Sequence, residues 1–259
     1  MTEVDSGCKY GQFGGAHEGP PLDPAGALDA LAAGIAHAEN AAREEHAPTG
    51  PDALHERDLH AVLAEGLASA GHTVLTEVHY PHDPGGTVLP RDRERCDLVA
   101  LPAGSASVFD PVADRAERDA GADTLFAAEV DRLATTHRPH DACDPADAAW
   151  IEIKTTGTYA YRDGVPGPNR AYADELLRGA LADGLKLAEA TDLGHRWFVA
   201  VVFTAEPDAI DRDLVTVAHA MLDHGIDTRA PLTRRVPISD RAGNTHAVLA
   251  LYELSGPAP

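Results

Sequence analysis

The chain has 259 residues, of which 44% are hydrophobic and 24% charged, so it is long and apolar enough to bury a core. Its 21 basic and 42 acidic side chains give a formal net charge of −21, and such a surface repels a phosphate backbone at long range. No run approaches the roughly 18 apolar residues of a membrane span, and the N-terminus lacks the basic and apolar regions of a signal peptide. These features predict a soluble, cytoplasmic protein with no membrane contact.

The predicted elements describe one domain. Gly- and Pro-rich residues 1–25 predict a flexible N-terminal segment, and residues 26–259 predict a single domain. In chain order we predict a helix at 25–47, a helix with Asp52 as N-cap that ends near Ala70, strands at 72–80, 95–102 and 149–156, a helix at 171–191, a strand at 196–206, a helix at 210–225 and a strand at 245–254. This order predicts an α/β fold of three layers, with a mixed central β-sheet flanked by helices.

A long insert separates the second and third predicted strands. Its residues, about 103–148, are acidic and rich in alanine, and they predict one or two helices. A lid, a dimer surface and a solvated excursion all fit this insert. The sequence is therefore compatible with a homodimer or a protein partner and leaves the choice open.

Charged residues interrupt two of the apolar strands. Asp97 precedes the apolar run 98–101, and Glu152 and Lys154 alternate with two isoleucines. Because an isolated charge is very costly to bury, each carboxylate must be paired, bound to a metal or at the end of the sheet. If the two strands pair, Asp97, Glu152 and Lys154 converge at one edge of the sheet.

The helix that precedes these strands carries a further acid. Leu59, Leu63 and Leu67 form its apolar stripe, and at 100° per residue Glu56 points within about 20° of Leu63 and Leu67. We therefore predict that Glu56 lies on the core-facing stripe, one turn before the leucines begin, and leans toward Asp97.

Three carboxylates and a lysine around one point suit a hard divalent cation and an attacking water. Mg²⁺ prefers oxygen ligands, lowers the pKa of bound water and neutralises charge that develops on a phosphoryl oxygen. A neighbouring lysine can orient the water or stabilise the pentavalent phosphorus. The alternative is a salt-bridge cluster in which Lys154 pairs with Glu152 or Asp97 and nothing is catalysed. The metal site is favoured because an aspartate on one strand, a Glu-x-Lys triplet on the next and a glutamate on the preceding helix occur together.

The set Glu56, Asp97 and Glu152-Ile153-Lys154, in the order helix, strand, strand, strand, helix, strand, resembles the PD-(D/E)XK nuclease superfamily, which has the restriction-endonuclease-like fold. The resemblance implies that Asp97 and Glu152 bind one or two Mg²⁺ ions, or Mn²⁺, with the help of the carbonyl of Ile153. It also implies that Lys154 supports the water nucleophile and that Glu56 completes the metal environment. The implied activity is endonucleolytic or exonucleolytic hydrolysis of phosphodiester bonds in DNA.

The resemblance extends over about residues 52–206, and other side chains near its site are candidates for binding substrate. Thr156, Tyr161 and Arg162 follow Lys154 and can contact a phosphate, although polar loop residues explain them equally well. Lys186 on the next helix can approach the site or extend its amine to water. A basic stretch at 228–237 fits a loop that follows a DNA backbone or a solvated loop.

Three functions remain open at the level of the sequence. The first is a Mg²⁺-dependent nuclease that contacts DNA through a local groove. The second is a catalytically inactive protein of the same fold that binds or assembles with a partner. The third is a metal-dependent enzyme on this fold whose substrate is not a polymer. The charge of −21 favours the last two, whereas the complete set of acids and lysine favours the first and third.

Overall fold

The structure is a computed structural model that describes residues 22–81, 93–122, 139–162 and 164–255. Its helices are α1 (Pro24–Glu44), α2 (Glu56–Ser69), α3 (Pro111–Ala122), α4 (Tyr172–Glu189) and α5 (Pro207–Asp223). Its strands are β1 (Thr73–His79), β2 (Arg95–Leu101), β3 (Ser107–Val108), β4 (Ala142–Cys143), β5 (Ala149–Gly157), β6 (Tyr159–Arg162), β7 (Val165–Pro168), β8 (His195–Thr204), β9 (Leu232–Pro237) and β10 (His246–Glu253). Short 3-10 turns lie at Pro51–Ala53 and Pro145–Asp147.

Six of these strands form one mixed sheet in the order β1-β2-β5-β8-β10-β9. The pairing of β5 with β8 is parallel, because α4 connects the two strands across one face. The other neighbouring pairs in this sheet are antiparallel. The predicted α/β class and the mixed central sheet are confirmed.

Helices pack on both faces of the sheet, as the alternation along β5 requires. Ile151 points into a core shared with Leu31 of α1 and Leu63 of α2. Its neighbour Trp150 points into the opposite core, where it meets the helix pair α4 and α5 through residues such as Leu214. The arrangement is compatible with the predicted three-layer α/β fold, and it encloses β8, which is buried along almost its whole length.

The α1–α2 pair is fixed by a close backbone approach. A β-carbon at Gly34 of α1 would lie 2.6 Å from the carbonyl oxygen of Val62, and one at Gly66 of α2 would lie 2.4 Å from that of Ala30. Only glycine permits this separation without a shift of the helices. The contact fixes α2 against α1, and the leucines of both helices pack on one face of the sheet.

The insert between β2 and β5 is partly helical. The structure describes one helix, α3, together with β3 and β4, which pair in parallel. The rest of the predicted helical region, residues 123–138, lies outside the described residues, as does most of the predicted flexible segment, residues 1–21. Of the helices that the structure describes, none combines the length and the apolar run that a bilayer crossing requires.

Some local predictions are wrong. Asp52 does not cap α2: it lies in a 3-10 turn and accepts a hydrogen bond of 3.0 Å from Asn244, and α2 follows His55. The basic stretch at 228–237 is not simply a loop, because its second half forms the edge strand β9. Arg235 of that strand lies 2.6 Å from a carboxylate of α5, so its charge is already paired.

Candidate metal and active site

The hydrogen-bonded ladder between β2 and β5 ends before Asp97. We call the place where the two strands separate, with Asp97 on β2 and Glu152, Ile153 and Lys154 on β5, the fork. Leu98 pairs with Ile151, and the ladder stops there. Beyond this pair, Oδ2 of Asp97 accepts a hydrogen bond of 2.8 Å from the backbone N–H of Ile153. Because the N–H and C=O of one strand residue point to the same side, the carbonyl of Ile153 faces the fork as well. The structure therefore places two of the predicted ligands side by side.

Glu152 is the buried acid of this fork. Its side chain is 2% exposed, and Oε1 accepts a hydrogen bond of 2.6 Å from the hydroxyl of Tyr80. The amine of Lys186 lies 3.4 Å from the same oxygen. Burial, and then the negative charge of Asp97, raise the pKa of Glu152 to about 8. This carboxyl therefore exchanges its proton near neutral pH, in the range where general acids and bases work.

Asp97 is also shifted toward its neutral form. Burial raises the pKa of Asp97, while the charge of His60 and the N–H of Ile153 lower it in part. Hydrogen bonding with Glu152 acts in the same direction as these two groups. The two carboxyl groups thus influence each other across the fork, as closely spaced acids do when they share a site.

Lys154 extends from β5 to the start of α2. Its Nζ lies 2.9 Å from Oε1 of Glu56, and the two side chains are 25% and 45% exposed. The prediction that Glu56 lies on the core-facing stripe is therefore wrong, because Glu56 is the exposed first residue of its helix. The contact with Lys154 nevertheless joins α2 to β5, as expected for a site built from both elements.

Two residues that the sequence did not single out surround Asp97 on its other side. Nδ1 of His60, a buried residue of α2, lies 3.7 Å from Oδ1 of Asp97. Glu77 interrupts β1 opposite Asp97 with a φ of 54°, in the left-handed region. One ligand atom from each of these three residues lies within 4.8 Å of the other two. Within the described part of the chain, this is the one set of three acidic, histidine or cysteine side chains so closely gathered.

The predicted substrate-binding residues lie at different distances from the fork. Lys186 reaches Glu152 and also lies 2.8 Å from Asp183 of α4; the acids raise its pKa although burial opposes them. Thr156 is buried, and its hydroxyl donates 3.0 Å to a glutamate of α4. Tyr161 and Arg162 lie on β6, where the hydroxyl of the tyrosine donates to a backbone carbonyl after β9 and the arginine is exposed.

The predicted site residues are thus gathered as contacting pairs rather than around one point. Asp97 contacts Ile153, Lys154 contacts Glu56, and Glu152 contacts Lys186. The three predicted carboxylates do not form a group with all ligand atoms within 4.8 Å, among the residues described. The two lysines in the described ranges both belong to these pairs, so the scarce ammonium groups are concentrated at the fork.

A helical spacing could have identified one of the missed residues. His60 follows Glu56 by four positions, so the two side chains lie on the same side of α2. Asp183 likewise precedes Lys186 by three positions on α4. Nothing in the local sequence marks Glu77, because its position depends on a left-handed backbone within a strand.

Comparisons with known proteins do not assign a family or a function to the chain, so the function is inferred from the geometry of the site. The chain matches no protein-family model, and neither a curated protein nor a solved structure matches it significantly. The fork defines a class of site in which acids and paired lysines meet where the ladder between two strands stops. The groups of such a site can bind a cation, and a carboxyl group with a raised pKa can bind and release a proton near neutral pH.

Proposed function

We propose that the protein is a metal-dependent hydrolase of phosphodiester bonds, with DNA as substrate and a restriction-endonuclease-like fold. The catalytic residues in this proposal are Asp97, Glu152, Lys154 and Glu56. The observation that carries it is the fork itself, where Asp97 binds the backbone of Ile153 between the two other strand-borne residues. A structural ion pair would require no carboxylate bonded to the backbone of the Glu-x-Lys strand.

The order of the elements supports the proposed fold. The helix α2 is followed by β1, β2 and β5, which pair in sequence and antiparallel, and then by α4 and the parallel strand β8. This is the succession of helix, three strands, helix and strand on which the resemblance to the PD-(D/E)XK superfamily rests. The additional strands β10 and β9 extend the sheet beyond β8.

The donors at the fork fit Mg²⁺ or Mn²⁺. Asp97, Glu152, the carbonyl of Ile153 and the more distant Glu56 offer oxygen atoms, which hard cations prefer. When bound, the ion would supply positive charge to a phosphoryl oxygen and lower the pKa of a water. Burial, and then the negative charge of Asp97, raise the pKa of Glu152, and a bound cation would stabilise the ionised form that both disfavour.

Side chains of the protein can position the water or the phosphate, orient Glu152 and attract a phosphate group. Lys154 is held beside the fork by Glu56, and its exposed amine can exchange this partner for a water or a phosphate oxygen. Tyr80 and Lys186 fix the orientation of Glu152 by binding its Oε1, and the other oxygen is the one proposed to bind the cation. The net charge of −21 makes these local cations the principal attraction for a phosphate.

The test is cleavage of supercoiled plasmid, single-stranded DNA and bis(p-nitrophenyl) phosphate with Mg²⁺ or Mn²⁺. Wild type is compared with Lys154→Ala, Asp97→Asn and the control Arg178→Ala, which removes an exposed cation of α4 that pairs with Asp174. We expect wild type and Arg178→Ala to cut and the two site variants to lose at least 100-fold in rate. No cleavage of any substrate by wild type would refute the proposal.

A second candidate is a catalytically inactive protein of this fold that binds a partner. The observation in its favour is that both described lysines already have carboxylate partners, with Lys154 2.9 Å from Glu56 and Lys186 2.8 Å from Asp183. Cleavage of bis(p-nitrophenyl) phosphate without cleavage of DNA would instead indicate the non-polymeric substrate that the acidic surface favours. Absence of all three activities, with an intact fold, would favour the binding protein.

A further inference from the structure

We infer that the protein has a separate site for a divalent transition metal, Zn²⁺ above all, formed by His60, Glu77 and Asp97. This site lies on the β1 side of Asp97, whereas the proposed Mg²⁺ site lies on the β5 side. The two sites share Asp97 alone. The inference requires no phosphodiester hydrolysis, because it depends on the donor atoms and not on a substrate.

The donor set is the first argument. Imidazole nitrogen is a good ligand for Zn²⁺ and neighbouring transition metals, whereas Mg²⁺ selects oxygen. One histidine and two carboxylates give three protein ligands, which is the number found in zinc sites that keep a position for water or substrate. The set comes from three different elements, because His60 belongs to α2, Glu77 to β1 and Asp97 to β2.

The two oxygens of Asp97 are divided between the two sides. Oδ2 is engaged by the backbone N–H of Ile153 at 2.8 Å, toward β5. Oδ1 lies 3.7 Å from Nδ1 of His60, toward α2. That separation exceeds a hydrogen bond. Two ligand atoms of one tetrahedral zinc ion lie about 3.4 Å apart, so a small adjustment suffices for both to bind the same ion.

His60 is a buried polar side chain with unused capacity. Its residue is 8% exposed, and its Nε2 has no hydrogen-bond partner among the residues that the structure describes. A buried imidazole without full hydrogen bonding is costly to a fold. Coordination through Nδ1 would leave the proton on Nε2, and the bound ion would neutralise the charge of Asp97, which burial otherwise disfavours.

Glu77 is held in an uncommon conformation that puts its side chain within reach. Its φ of 54° is rare for a residue with a β-carbon, and its carboxylate lies within 4.8 Å of the other two ligand atoms. Arg57 and Arg95 approach it only to 3.9 and 4.0 Å, and both arginines are largely exposed. Such loose pairs contribute little, so the carboxylate can turn toward an ion.

The test is titration of the metal-free full-length protein with Zn²⁺, and with Co²⁺ as a spectroscopic probe, at pH 7.5. The variants are His60→Gln, Glu77→Gln and Glu152→Gln, with His219→Gln as a control because His219 is an exposed histidine of α5. We expect one Zn²⁺ per chain and an affinity at least 10-fold weaker in the first two variants. Glu152→Gln and His219→Gln should stay within threefold of wild type. Thermal unfolding verifies that each variant is folded.

The outcomes separate this inference from the proposed function. Equal Zn²⁺ affinity in wild type and Glu77→Gln overturns the inference, and this variant is decisive because Glu77 is half-buried and its loss should not unfold the chain. Loss of binding in Glu152→Gln together with retention in Glu77→Gln also overturns it and places the ion on the β5 side. Loss in Glu77→Gln alongside no DNA cleavage under any condition supports the inference and refutes the proposed function.

Discussion

Gly179 of α4 leaves the space through which the side chain of Lys154 passes. A β-carbon at position 179 would lie 2.3 Å from Cδ of Lys154 and 2.8 Å from its Cγ. The absence of a side chain at position 179 of α4 therefore leaves room for Lys154. A side chain at this position would block the path of the lysine beside the helix to Glu56.

We predict that Gly179→Ala displaces Lys154 and lowers the proposed hydrolytic rate at least tenfold while the protein stays folded. The obstructed atoms belong to a flexible side chain, so the lysine should move rather than the helix. Alanine also favours an α-helix by about 0.5–1 kcal/mol over glycine, which offsets part of the repulsion. Rate measurements and urea unfolding on the same preparation verify both statements.

The control for this prediction is Gly184→Ala in the same helix. Its β-carbon would meet only the ends of Ile226 and Met221, at 3.2 and 3.3 Å. We expect a small change in stability and no change in rate. Equal rates in the two variants would show that the path of Lys154 beside α4 is unimportant for activity.

The raised pKa of Glu152 predicts that stability falls as the pH rises. In the unfolded chain this carboxyl titrates near 4.5, and in the folded protein it titrates near 8. Between these values the folded state holds the proton more tightly, so its advantage is complete below pH 4.5 and is lost progressively up to pH 8. The slope is at most about 1.4 kcal/mol per pH unit, and solvent access reduces it.

This slope is measured by urea unfolding in EDTA from pH 5 to pH 9, for wild type and Glu152→Gln. Subtracting the two curves removes the contributions of groups that the substitution does not affect. We expect Glu152→Gln to gain on wild type between pH 5 and 8 and to keep a constant difference above pH 8. Parallel curves over the whole range would contradict the assigned pKa.

Periodic elements and strand-borne charges were predictable from the sequence. The apolar run of β8 and the alternation of charged and aliphatic residues on β5 were sufficient to place Glu152 and Lys154 on one face. The α/β class and mixed sheet followed from the order of such elements. These features depend on local periodicity, which each segment carries in its own sequence.

Features that depend on distant partners were not predictable. The strand β9 is short and polar at its edge, and its arginines pair with carboxylates of α1 and α5 that are far away in sequence. Glu56 follows a helical period that predicted a core position, but α2 begins at this residue and leaves it exposed. The left-handed backbone of Glu77 likewise arises only where β1 passes Asp97.

We predict that Tyr80→Phe destabilises the protein more at high pH than at low pH. The substitution keeps the ring that stacks on Trp150 at a centroid distance of 5.6 Å, and it removes the 2.6 Å hydrogen bond to Glu152. A hydrogen bond to a charged acceptor contributes about 1.5–3 kcal/mol, against about 1 kcal/mol for a neutral one. The loss should therefore increase between pH 6 and pH 9, as Glu152 ionises.

Tyr252→Phe is the matched control for this substitution. The hydroxyl of Tyr252 is also buried, but it donates 2.9 Å to the backbone carbonyl of Leu214, which does not titrate. Urea unfolding at pH 6 and pH 9 should show the same loss at both values for Tyr252→Phe. A loss that is independent of pH in both variants would show that the hydroxyl of Tyr80 does not respond to the ionisation of Glu152.

The last prediction concerns the buried ion pair that fastens α1 to the loop between β9 and β10. Oε2 of Glu39 lies 2.7 Å from Nη1 of Arg241, and its other oxygen accepts two hydrogen bonds from Ser239. The side chain of Glu39 is 2% exposed, so Arg241→Ala would leave a buried carboxylate without its cation. Breaking such a pair costs about 3–5 kcal/mol.

Arg43→Ala is the control, because it removes another arginine that lies near the carboxylate of Glu39. This arginine is 62% exposed and 3.5 Å away, so a loss of about 0–1 kcal/mol is expected.

The pH dependence gives this prediction a second, independent measurement. Burial raises the pKa of Glu39, but Arg241 and Ser239 outweigh it, and the pKa lies below its ordinary value. A lowered pKa means that the stabilisation is present above pH 4.5 and is lost as the pH falls further. The difference between wild type and Arg241→Ala should therefore be largest near pH 7 and shrink in acid, because a protonated Glu39 no longer needs the cation. Guanidinium would screen this ion pair, so urea unfolding at pH 7 and pH 4 is the appropriate measurement. A difference that does not change between these pH values would indicate that Arg241 stabilises the loop through packing rather than charge.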